Sequence, residues 1–326
     1  MAKVDIVVSI YNVENYVFRT LLSLQQQTFS DIRILCIDDG STDNSSAIIK
    51  KFTTEDKRFV YYHKTNGGLS DARNFGLDRV EAPYVMLIDG DDFCEKEMVQ
   101  ACVQAMEKDN SDMVVFPYYQ YLLQENKQEI IPLQIEQGCY SLAQHKELLV
   151  YTPNAAWNKL YRSSLFLESG VRYPLGYRHQ DFGTTAKLLA RARKITYLSL
   201  PLYNYLLDRP NNITGQVDTK LSHIIPMSEE IIRYYQENGL FTTYQTELQA
   251  LCFLNYRQSL RKAVHLQDWQ FVNHFIDDIF QTYHHYFLKK KNPYIQNGKG
   301  DFVYQSRWLC KLYAYYQHWQ KKLQGE

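Results

Sequence analysis

One apolar run in the chain ends abruptly in a cluster of acids. Residues 84–88 are Tyr-Val-Met-Leu-Ile, and Asp89, Gly90, Asp91 and Asp92 follow directly. An apolar run that stops at turn-forming residues predicts a buried strand ending at the surface, and ligands bind at such strand ends in open α/β sheets. Crowded carboxylates repel one another unless they share a cation. The run therefore indicates either a site for Mg²⁺ or Mn²⁺ or a solvated acidic turn.

Strand-like and helix-like segments alternate four times in the N-terminal part of the chain. Runs rich in Val and Ile predict strands at 4–10, 32–37, 59–62 and 84–88, and polar or acidic residues follow each of them. This pattern predicts an α/β protein with a mostly parallel sheet, helices on both faces and a nucleotide crevice at the carboxyl edge. Neither GxGxxG nor GxxxxGK[ST] occurs, which argues against a dinucleotide enzyme and a P-loop NTPase.

Composition and charge narrow the classes of function. Lys plus Arg and Asp plus Glu each number 36 in 326 residues, so bulk electrostatics gives no support for nucleic-acid binding. The six cysteines have no spacing typical of zinc sites and require no oxidising compartment. Neither a signal-peptide core nor an apolar run of roughly 18 residues is present. The sequence therefore predicts a cytoplasmic protein.

Four motifs occur in order over this alternating region. They are Val8-Ser9-Ile10-Tyr11-Asn12, Asp38-Asp39-Gly40-Ser41-Thr42-Asp43, Asn66-Gly67-Gly68-Leu69-Ser70 with Ala72-Arg73-Asn74, and Leu87-Ile88-Asp89-Gly90-Asp91-Asp92. In this order they resemble the motifs of family-2 glycosyltransferases, which have the GT-A fold. The resemblance implies a Rossmann-like central sheet flanked by helices, a UDP-sugar donor and inverting transfer assisted by Mn²⁺ or Mg²⁺.

The resemblance places the donor site at the strand ends. It implies uracil contacts from the Tyr11 region and Asp39, and a metal ion held by Asp91. The predicted donor-binding residues are Ser9, Tyr11, Asn12, Asp39, Asn66, Gly67, Arg73, Asp89, Gly90 and Arg209, and the predicted metal ligands are Asp89, Asp91 and Asp208. A carboxylate-held divalent ion neutralises a departing diphosphate without proton transfer, and an arginine adds fixed positive charge. For Arg73 the alternative is a solvated helix residue.

A later segment extends the resemblance. Asp208 and Arg209 follow a predicted strand at 194–200, where family members often carry a mobile segment that closes over the diphosphate. Such closure would exclude water and suppress hydrolysis of the donor. The resemblance implies a phosphate contact from Arg209 and a further metal ligand in Asp208, and the alternative is a surface loop.

The acceptor side is predicted around two other stretches. Trp157 lies in a Trp-x-Lys-Leu-Tyr stretch like the one that precedes the acceptor region in the family, and it either packs under a sugar ring or lies in the core. Asp181 matches the second member of the family's Glu-Asp pair, with Gln180 in place of Glu. Because an attacking hydroxyl must lose a proton, Asp181 is the predicted base, with helix capping as the alternative. His179 is a predicted acceptor contact.

The C-terminal third reads as helices, predicted at 224–238, 244–266, 268–286 and 302–323. We expect a GT-A domain at 1–218, with a nucleotide-sugar half at 1–95 and an acceptor half at 96–218, and a helical domain at 219–326. The last helix mixes aromatic and basic residues. That mixture suits peripheral contact with anionic lipid at the inner face of a membrane. It also suits a face for packing or homo-oligomer formation, and the neutral overall charge of the chain favours this second interpretation.

Together these features predict a metal-dependent, inverting hexosyl- or N-acetylhexosaminyltransferase. The resemblance implies a UDP-sugar donor and a bacterial glycan, lipid-linked or glycoprotein acceptor. A nucleotidyltransferase is one alternative, but its Arg/Lys-rich phosphate loop near the N-terminus is missing. An inactive sugar-binding or partner module is another, and the presence of every expected acid argues against it.

Overall fold

The computed structural model describes residues 2–125, 127–207, 209, 215, 217–287, 291–295 and 301–324. The strands in this part of the chain are β1 (Val4–Ile10), β2 (Ile32–Asp38), β3 (Phe59–His63), β4 (Tyr84–Asp89), β5 (Phe93–Cys94), β6 (Met113–Val115), β7 (Tyr118–Leu122), β8 (Lys127–Ile131), β9 (Gly138–Tyr140), β10 (Lys159–Arg162), β11 (Ile195–Tyr197) and β12 (Tyr203–Leu206).

Helices alternate with these strands in the first half of the chain and follow one another in the last third. They are α1 (Val17–Gln25), α2 (Ser45–Glu55), α3 (Leu69–Leu77), α4 (Met98–Asp109), α5 (Leu148–Tyr151), α6 (Ser164–Leu167), α7 (Gln180–Arg191), α8 (Ile224–Glu237), α9 (Phe241–Ala263), α10 (Trp269–Tyr286) and α11 (Arg307–Gln324).

The larger sheet has the strand order β3-β2-β1-β4-β10-β6-β11-β9. Its first four strands are parallel, as the alternation of strand and helix predicts. β10 runs antiparallel to both of its neighbours, β4 and β6, and β9 runs antiparallel to β11. A sheet of this kind with helices around it confirms the predicted α/β class.

β1 shows why the central strands read as continuous apolar runs. Every one of its residues is buried, because helices cover both faces of a parallel sheet. Its one charged residue, Asp5, is neutralised by Arg33 of β2, whose Nε and Nη2 donate to the carboxylate at 2.8 Å each. The backbone N–H groups of Glu81 and Ala82 donate to the same carboxylate, at 2.8 and 3.0 Å. The buried charge therefore has a full set of partners.

A smaller sheet has the order β5-β12-β7-β8. β7 and β8 form an antiparallel hairpin. β12 pairs with β5 through Tyr203 and with β7 through Leu206. Because β5 comes directly after the acidic motif, this sheet fixes the chain just beyond the end of β4.

Two segments differ from the sequence prediction. A helix is predicted from 142 to 150, but the helix starts only at Leu148, and turns precede it. Ser141 accepts backbone hydrogen bonds from Gln144 and His145, at 3.2 and 3.0 Å, and the His145 ring lies against Tyr140. These contacts override the local helical pattern. β10 was not predicted as a strand at all, because its four residues carry too little periodicity.

The chain divides into two compact units. One comprises 1–176 and 180–212, and the other comprises 177–179 and 213–326. The domain boundary after 218 stays a prediction. In the second unit, helices α8, α9 and α10 bury an apolar core that includes Ile231, Leu248 and Phe275. Among the described residues, no helix is long and apolar enough to cross a membrane.

Gly90 lies where the chain leaving β4 passes close to the end of β1, and substituting it tests that close approach. A Cβ atom at this position would lie 2.8 Å from the backbone oxygen of Ser9 and 3.0 Å from Cγ1 of Ile10. Backbone cannot move aside cheaply, so we expect Gly90→Ala to lower the free energy of unfolding by about 1–3 kcal/mol, measured by urea denaturation. The exposed Ala143→Ser change is the control and should stay within about 0.5 kcal/mol of wild type. Equal stability of Gly90→Ala and wild type would contradict the approach.

Candidate active site

The carboxyl ends of β1, β2 and β4 bring three of the sequence motifs to one edge of the sheet. Ser9 lies opposite Asp89 on one side and Ile37 on the other, and Ile10 lies opposite Asp38. The Ser9 hydroxyl is buried and has no hydrogen-bond partner among the described residues. Buried polar groups are normally satisfied, so this hydroxyl is suited to a ligand that the predicted donor site would bind.

Asp39 organises the third motif. Its buried carboxylate accepts hydrogen bonds from the backbone N–H groups of Gly67 and Gly68, at 3.0 and 2.8 Å, and from Lys64 Nζ at 2.6 Å. Asn66 Nδ2 donates to the Asp39 backbone oxygen at 3.0 Å. Gly68 has a φ of +86°, which only glycine adopts at little cost. Asp39 therefore fixes the loop that precedes α3, and its contact with uracil stays a prediction.

Arg73 joins two acids that are far apart in sequence. Its side chain is only 1% exposed, and its Nη2 donates to Asp89 Oδ1 at 2.8 Å. Its Nη1 forms an ion pair with Asp181, and its Cζ lies 5.2 Å from the centre of the Tyr173 ring. Two carboxylates and an aromatic face thus surround one buried guanidinium. The structure excludes the solvated alternative for this arginine, while its contact with donor phosphates stays a prediction.

Asp181, the predicted base, lies at the start of α7. Its Oδ2 accepts from the Ala156 N–H at 3.3 Å, while Oδ1 faces Arg73. Burial raises the pKa of this carboxyl, Arg73 lowers it, and the nearby Asp89 raises it again. Burial is the largest of these effects, and the pKa of Asp181 lies above its ordinary value. The carboxylate is therefore held in place and is more basic than a free aspartate.

Asp91 and Arg209 form another ion pair at this edge. The Arg209 Nε lies against the Asp91 carboxylate without hydrogen-bond geometry and has no hydrogen-bond partner among the described residues. Burial raises the pKa of Asp91, Arg209 lowers it, and Asp89 raises it. Burial is the largest of these effects, and the pKa of Asp91 lies above its ordinary value even with an arginine beside it.

Asp92, the third acid of the motif, has a structural role in the described chain. It is fully buried, and it accepts from the Tyr203 hydroxyl and the Leu206 N–H, both at 2.8 Å. Burial raises its pKa well above the ordinary value, and Asp91 and Asp89 add to the effect. Asp92 thus ties the acidic motif to β12.

The loop at 153–156 lies beside Asp181, and the backbone oxygen of each of its four residues accepts a hydrogen bond from a side chain. Lys159 Nζ, which is fully buried, donates to Pro153 O, Ala155 O and Asn158 Oδ1, at 2.7, 2.6 and 2.7 Å. Thr185 Oγ1 donates to Asn154 O at 2.7 Å, and the Tyr161 hydroxyl donates to Ala156 O at 3.1 Å. Burial lowers the pKa of Lys159 to about 7, and the three oxygens around it favour its charged form. This loop carries the N–H group that donates to Asp181.

Trp157 lies in the core rather than at a surface open to sugar. It is 7% exposed, and its ring stacks with Tyr203 and Tyr205 at centroid distances of 4.6 and 5.2 Å. Tyr118 meets it edge-on at 4.7 Å. The structure therefore favours the core alternative for Trp157, and its acceptor role stays a prediction.

The remaining predicted residues occupy different places. Tyr11 is exposed beside the strand ends, and Asn12 has a φ of +50° while its Oδ1 accepts from the Thr42 N–H at 2.8 Å. His179 belongs to the second unit, has a φ of +60°, and burial lowers its pKa to about 4. Asp208 lies outside the described residues.

Lys64, Lys159 and Tyr203 were not predicted as site residues. Lys64 and Tyr203 hold acids that are distant in sequence, Asp39 and Asp92, so no local spacing identifies them. Lys159 binds oxygens one to six residues away and carries the clearest signal, because it and Asn158 are the polar residues in the stretch from Ala155 to Tyr161. A buried lysine must find oxygen partners, and a lysine in a mostly apolar stretch indicates one.

A mixed sheet whose carboxyl edge carries acids and one buried arginine is the architecture of a GT-A protein. S. aureus TarS 1–349, solved in complex with UDP-GlcNAc, superposes with a TM-score of 0.68 over 99% of this chain and 92% of that one, at 17% identity. This likeness shows the fold. The sequence profile of Glycosyl transferase family 2 matches residues 5–170, about half of the chain, and the chain belongs to that family.

Named bacterial relatives agree with this membership. Glycosyltransferase GlyA of Streptococcus pneumoniae is 31% identical over 243 residues, which is 70% of this chain and 34% of GlyA. EpsJ of Bacillus subtilis, an uncharacterized glycosyltransferase, is 28% identical over 245 residues, which is 73% of this chain and 69% of EpsJ. The chain thus spans about a third of the length of GlyA and about two thirds of that of EpsJ.

Substituting Arg73 tests the ion-pair cluster. Arg73→Met leaves Asp89 and Asp181 in a buried site without their cation, and we expect it to lower the free energy of unfolding by about 3–5 kcal/mol at pH 7.5. Without Arg73, burial and Asp89 still raise the pKa of Asp181, and only the hydrogen bond from the Ala156 N–H opposes them. The folded protein then binds this proton more tightly than the unfolded chain, so the loss is largest above the folded pKa and shrinks as pH falls.

The measurement is urea denaturation at pH 7.5 and at pH 5.5. Arg193→Met is the matched control, because Arg193 pairs with Asp112 but is 74% exposed. That control should cost less than about 1 kcal/mol. A loss for Arg73→Met that matches the control, or that grows at the lower pH, would contradict the proposed charge arrangement.

Proposed function

We propose that the chain is an inverting glycosyltransferase that moves a hexosyl or N-acetylhexosaminyl group from a UDP-sugar to a hydroxyl group. The acceptor is a bacterial glycan, a lipid-linked glycan or a glycoprotein, and the setting is polysaccharide or glycoprotein assembly in the cytoplasm. The observation that supports it most is the Asp89–Arg73–Asp181 cluster, which holds a basic carboxylate beside the strand ends. Crystal structures of TarS with UDP-GlcNAc and with UDP support a UDP-sugar donor.

Asp181 is the proposed general base. The acceptor oxygen attacks the anomeric carbon while its proton passes to the Asp181 carboxylate, and the bond from that carbon to the diphosphate oxygen breaks on the opposite face. The configuration at the anomeric carbon is thereby inverted. A raised pKa makes the carboxylate a better proton acceptor at neutral pH. Arg73 and the Ala156 N–H hold its two oxygens, so its orientation is set before the acceptor arrives.

Asp91 and Asp89 are the proposed ligands of Mn²⁺ or Mg²⁺. Both offer oxygen atoms, and a cation would favour the charged form of the Asp91 carboxyl, whose pKa is raised mainly by burial. No three His, Cys, Asp or Glu side chains converge as a metal site within the described part of the chain. The two carboxylates of Asp89 and Asp91 fit a divalent ion that binds one or two protein carboxylates and whose coordination is completed by substrate phosphates. When bound, the ion would neutralise charge developing on the departing UDP.

Arg209 supplies a second positive charge at the same place. In the structure it compensates Asp91 without forming a hydrogen bond through Nε. A guanidinium is well matched to phosphate oxygens, because it can donate two parallel hydrogen bonds to them. We propose that Arg209 contacts the diphosphate, and that Ser9 and the loop held by Asp39 contact the nucleoside.

Titration with UDP tests the donor site. By calorimetry in Mn²⁺ we expect wild-type protein to bind UDP, and we expect affinity to fall at least about tenfold, or 1.4 kcal/mol, when the metal is chelated. Asp91→Asn should show the same loss with Mn²⁺ present. Asp78→Asn, which changes an exposed acid paired with Arg172, should bind like wild type. UDP affinity that chelation leaves unchanged would refute the metal assignment.

Substituting Asp181 tests the base. We expect Asp181→Asn to bind UDP with unchanged affinity in Mn²⁺ and to release UDP from a UDP-sugar about 10²–10⁴-fold more slowly than wild type. The assay screens UDP-glucose, UDP-galactose, UDP-GlcNAc and UDP-GalNAc, with Asp78→Asn as the control. An unchanged rate for Asp181→Asn would remove the base assignment. Pyrophosphate release from a nucleoside triphosphate and a sugar phosphate would instead favour a nucleotidyltransferase.

A further inference from the structure

Helix α11 exposes a continuous aromatic face. Among the side chains of α11 that the structure describes, five large ones are between 48 and 68% exposed, and they are Trp308, Leu312, Tyr315, Tyr316 and Trp319. At about 100° per residue these positions fall within an arc of roughly 100° on one side of the helix. Single exposed apolar residues are common on protein surfaces, but a contiguous patch marks an interaction site.

The opposite side of α11 already has a partner. Cys310 and Ala314 are buried there, and Arg307 Nε and Lys311 Nζ both lie 2.6 Å from Asp277 of α10. Tyr315 also meets Trp269 edge-on at 5.7 Å. Packing within the second unit therefore accounts for one side of the helix and leaves the aromatic face exposed among the described residues.

The charge of α11 identifies the partner that suits this face. The helix sequence contains Arg307, Lys311, Lys321 and Lys322 and no acidic residue, although the whole chain has no net charge. Asp277 compensates one of these four charges. A two-fold dimer through the aromatic face would bring two like-charged helices together. An anionic surface would instead attract them, and Trp and Tyr side chains prefer the membrane–water interface.

We propose that the aromatic face of α11 binds the surface of an anionic lipid bilayer. The helix would lie in the plane of the interface with its Trp and Tyr rings among the headgroups, and the positive charges of Lys321 and Lys322 near its end would add attraction to anionic lipid. This inference stands on the second unit alone and does not depend on the donor or the chemistry of the other unit.

Sedimentation with vesicles tests the proposal on the full chain. We expect wild-type protein to bind vesicles of 40% phosphatidylglycerol and 60% phosphatidylcholine, and to bind pure phosphatidylcholine at least about tenfold more weakly. Trp308→Ser with Trp319→Ser should lower binding to the anionic vesicles by a similar factor. Leu175→Ser with Leu200→Ser is the matched control, because these residues are 57 and 52% exposed and lie outside the second unit. It should bind like wild type.

Two further measurements separate the contribution of the basic residues from that of the tryptophan side chains. Lys321→Gln with Lys322→Gln should weaken binding to anionic vesicles, as should 0.5 M salt, which screens surface charge. Tryptophan fluorescence should shift to shorter wavelength on binding in wild type and not in the double tryptophan variant. Equal sedimentation of wild type and the double tryptophan variant would overturn the proposal. So would a wild-type dimer, seen by analytical ultracentrifugation, that becomes monomeric in that variant and binds no vesicles.

Discussion

The buried ion pairs of Arg73 are the interaction on which the first unit depends. A guanidinium in the interior is tolerated only when carboxylates neutralise it and accept its hydrogen bonds. Asp89 lies 16 residues away in sequence and Asp181 lies 108 residues away, so the nucleotide-side strand and the start of α7 are linked by one side chain. The helix that carries Arg73 reaches this place because Gly76 lets α3 lie against Val7, where a Cβ would come within 2.3 Å.

The same electrostatic balance connects structure to the proposed chemistry. Burial, together with the neighbouring acids at the end of β4, raises the pKa of Asp91 and, more strongly, of Asp92. Hydrogen bonds from Tyr203 and Leu206 hold Asp92 in this buried place. Asp91 is instead paired with Arg209. Of the neighbouring acids, Asp91 is therefore the one best placed to exchange its partner for a ligand.

Much of the fold was predictable from sequence, because periodicity and motif order are local signals. The Val- and Ile-rich runs predicted β1 to β4, and the acids after them predicted the edge at which the site lies. The partners of those acids were not predictable. Asp39 is held by glycine N–H groups, Arg73 turns inward to two carboxylates, and Trp157 stacks on β12. Such contacts depend on which elements become neighbours, and β10, which inserts antiparallel beside β4, left no periodic trace.

The many hydrogen bonds of the loop at 153–156 fix the surroundings of Asp181 before any substrate binds. A buried ammonium such as Lys159 is stable only where oxygen atoms already surround it, so the loop at 153–156 must adopt one conformation for the chain to fold. Asp181 receives its backbone donor from that loop and its cation from Arg73. A carboxylate whose partners are fixed before substrate binds does not have to reorganise its surroundings during proton transfer. The interactions that make this region costly to fold are thus the same ones that would make Asp181 effective as a base.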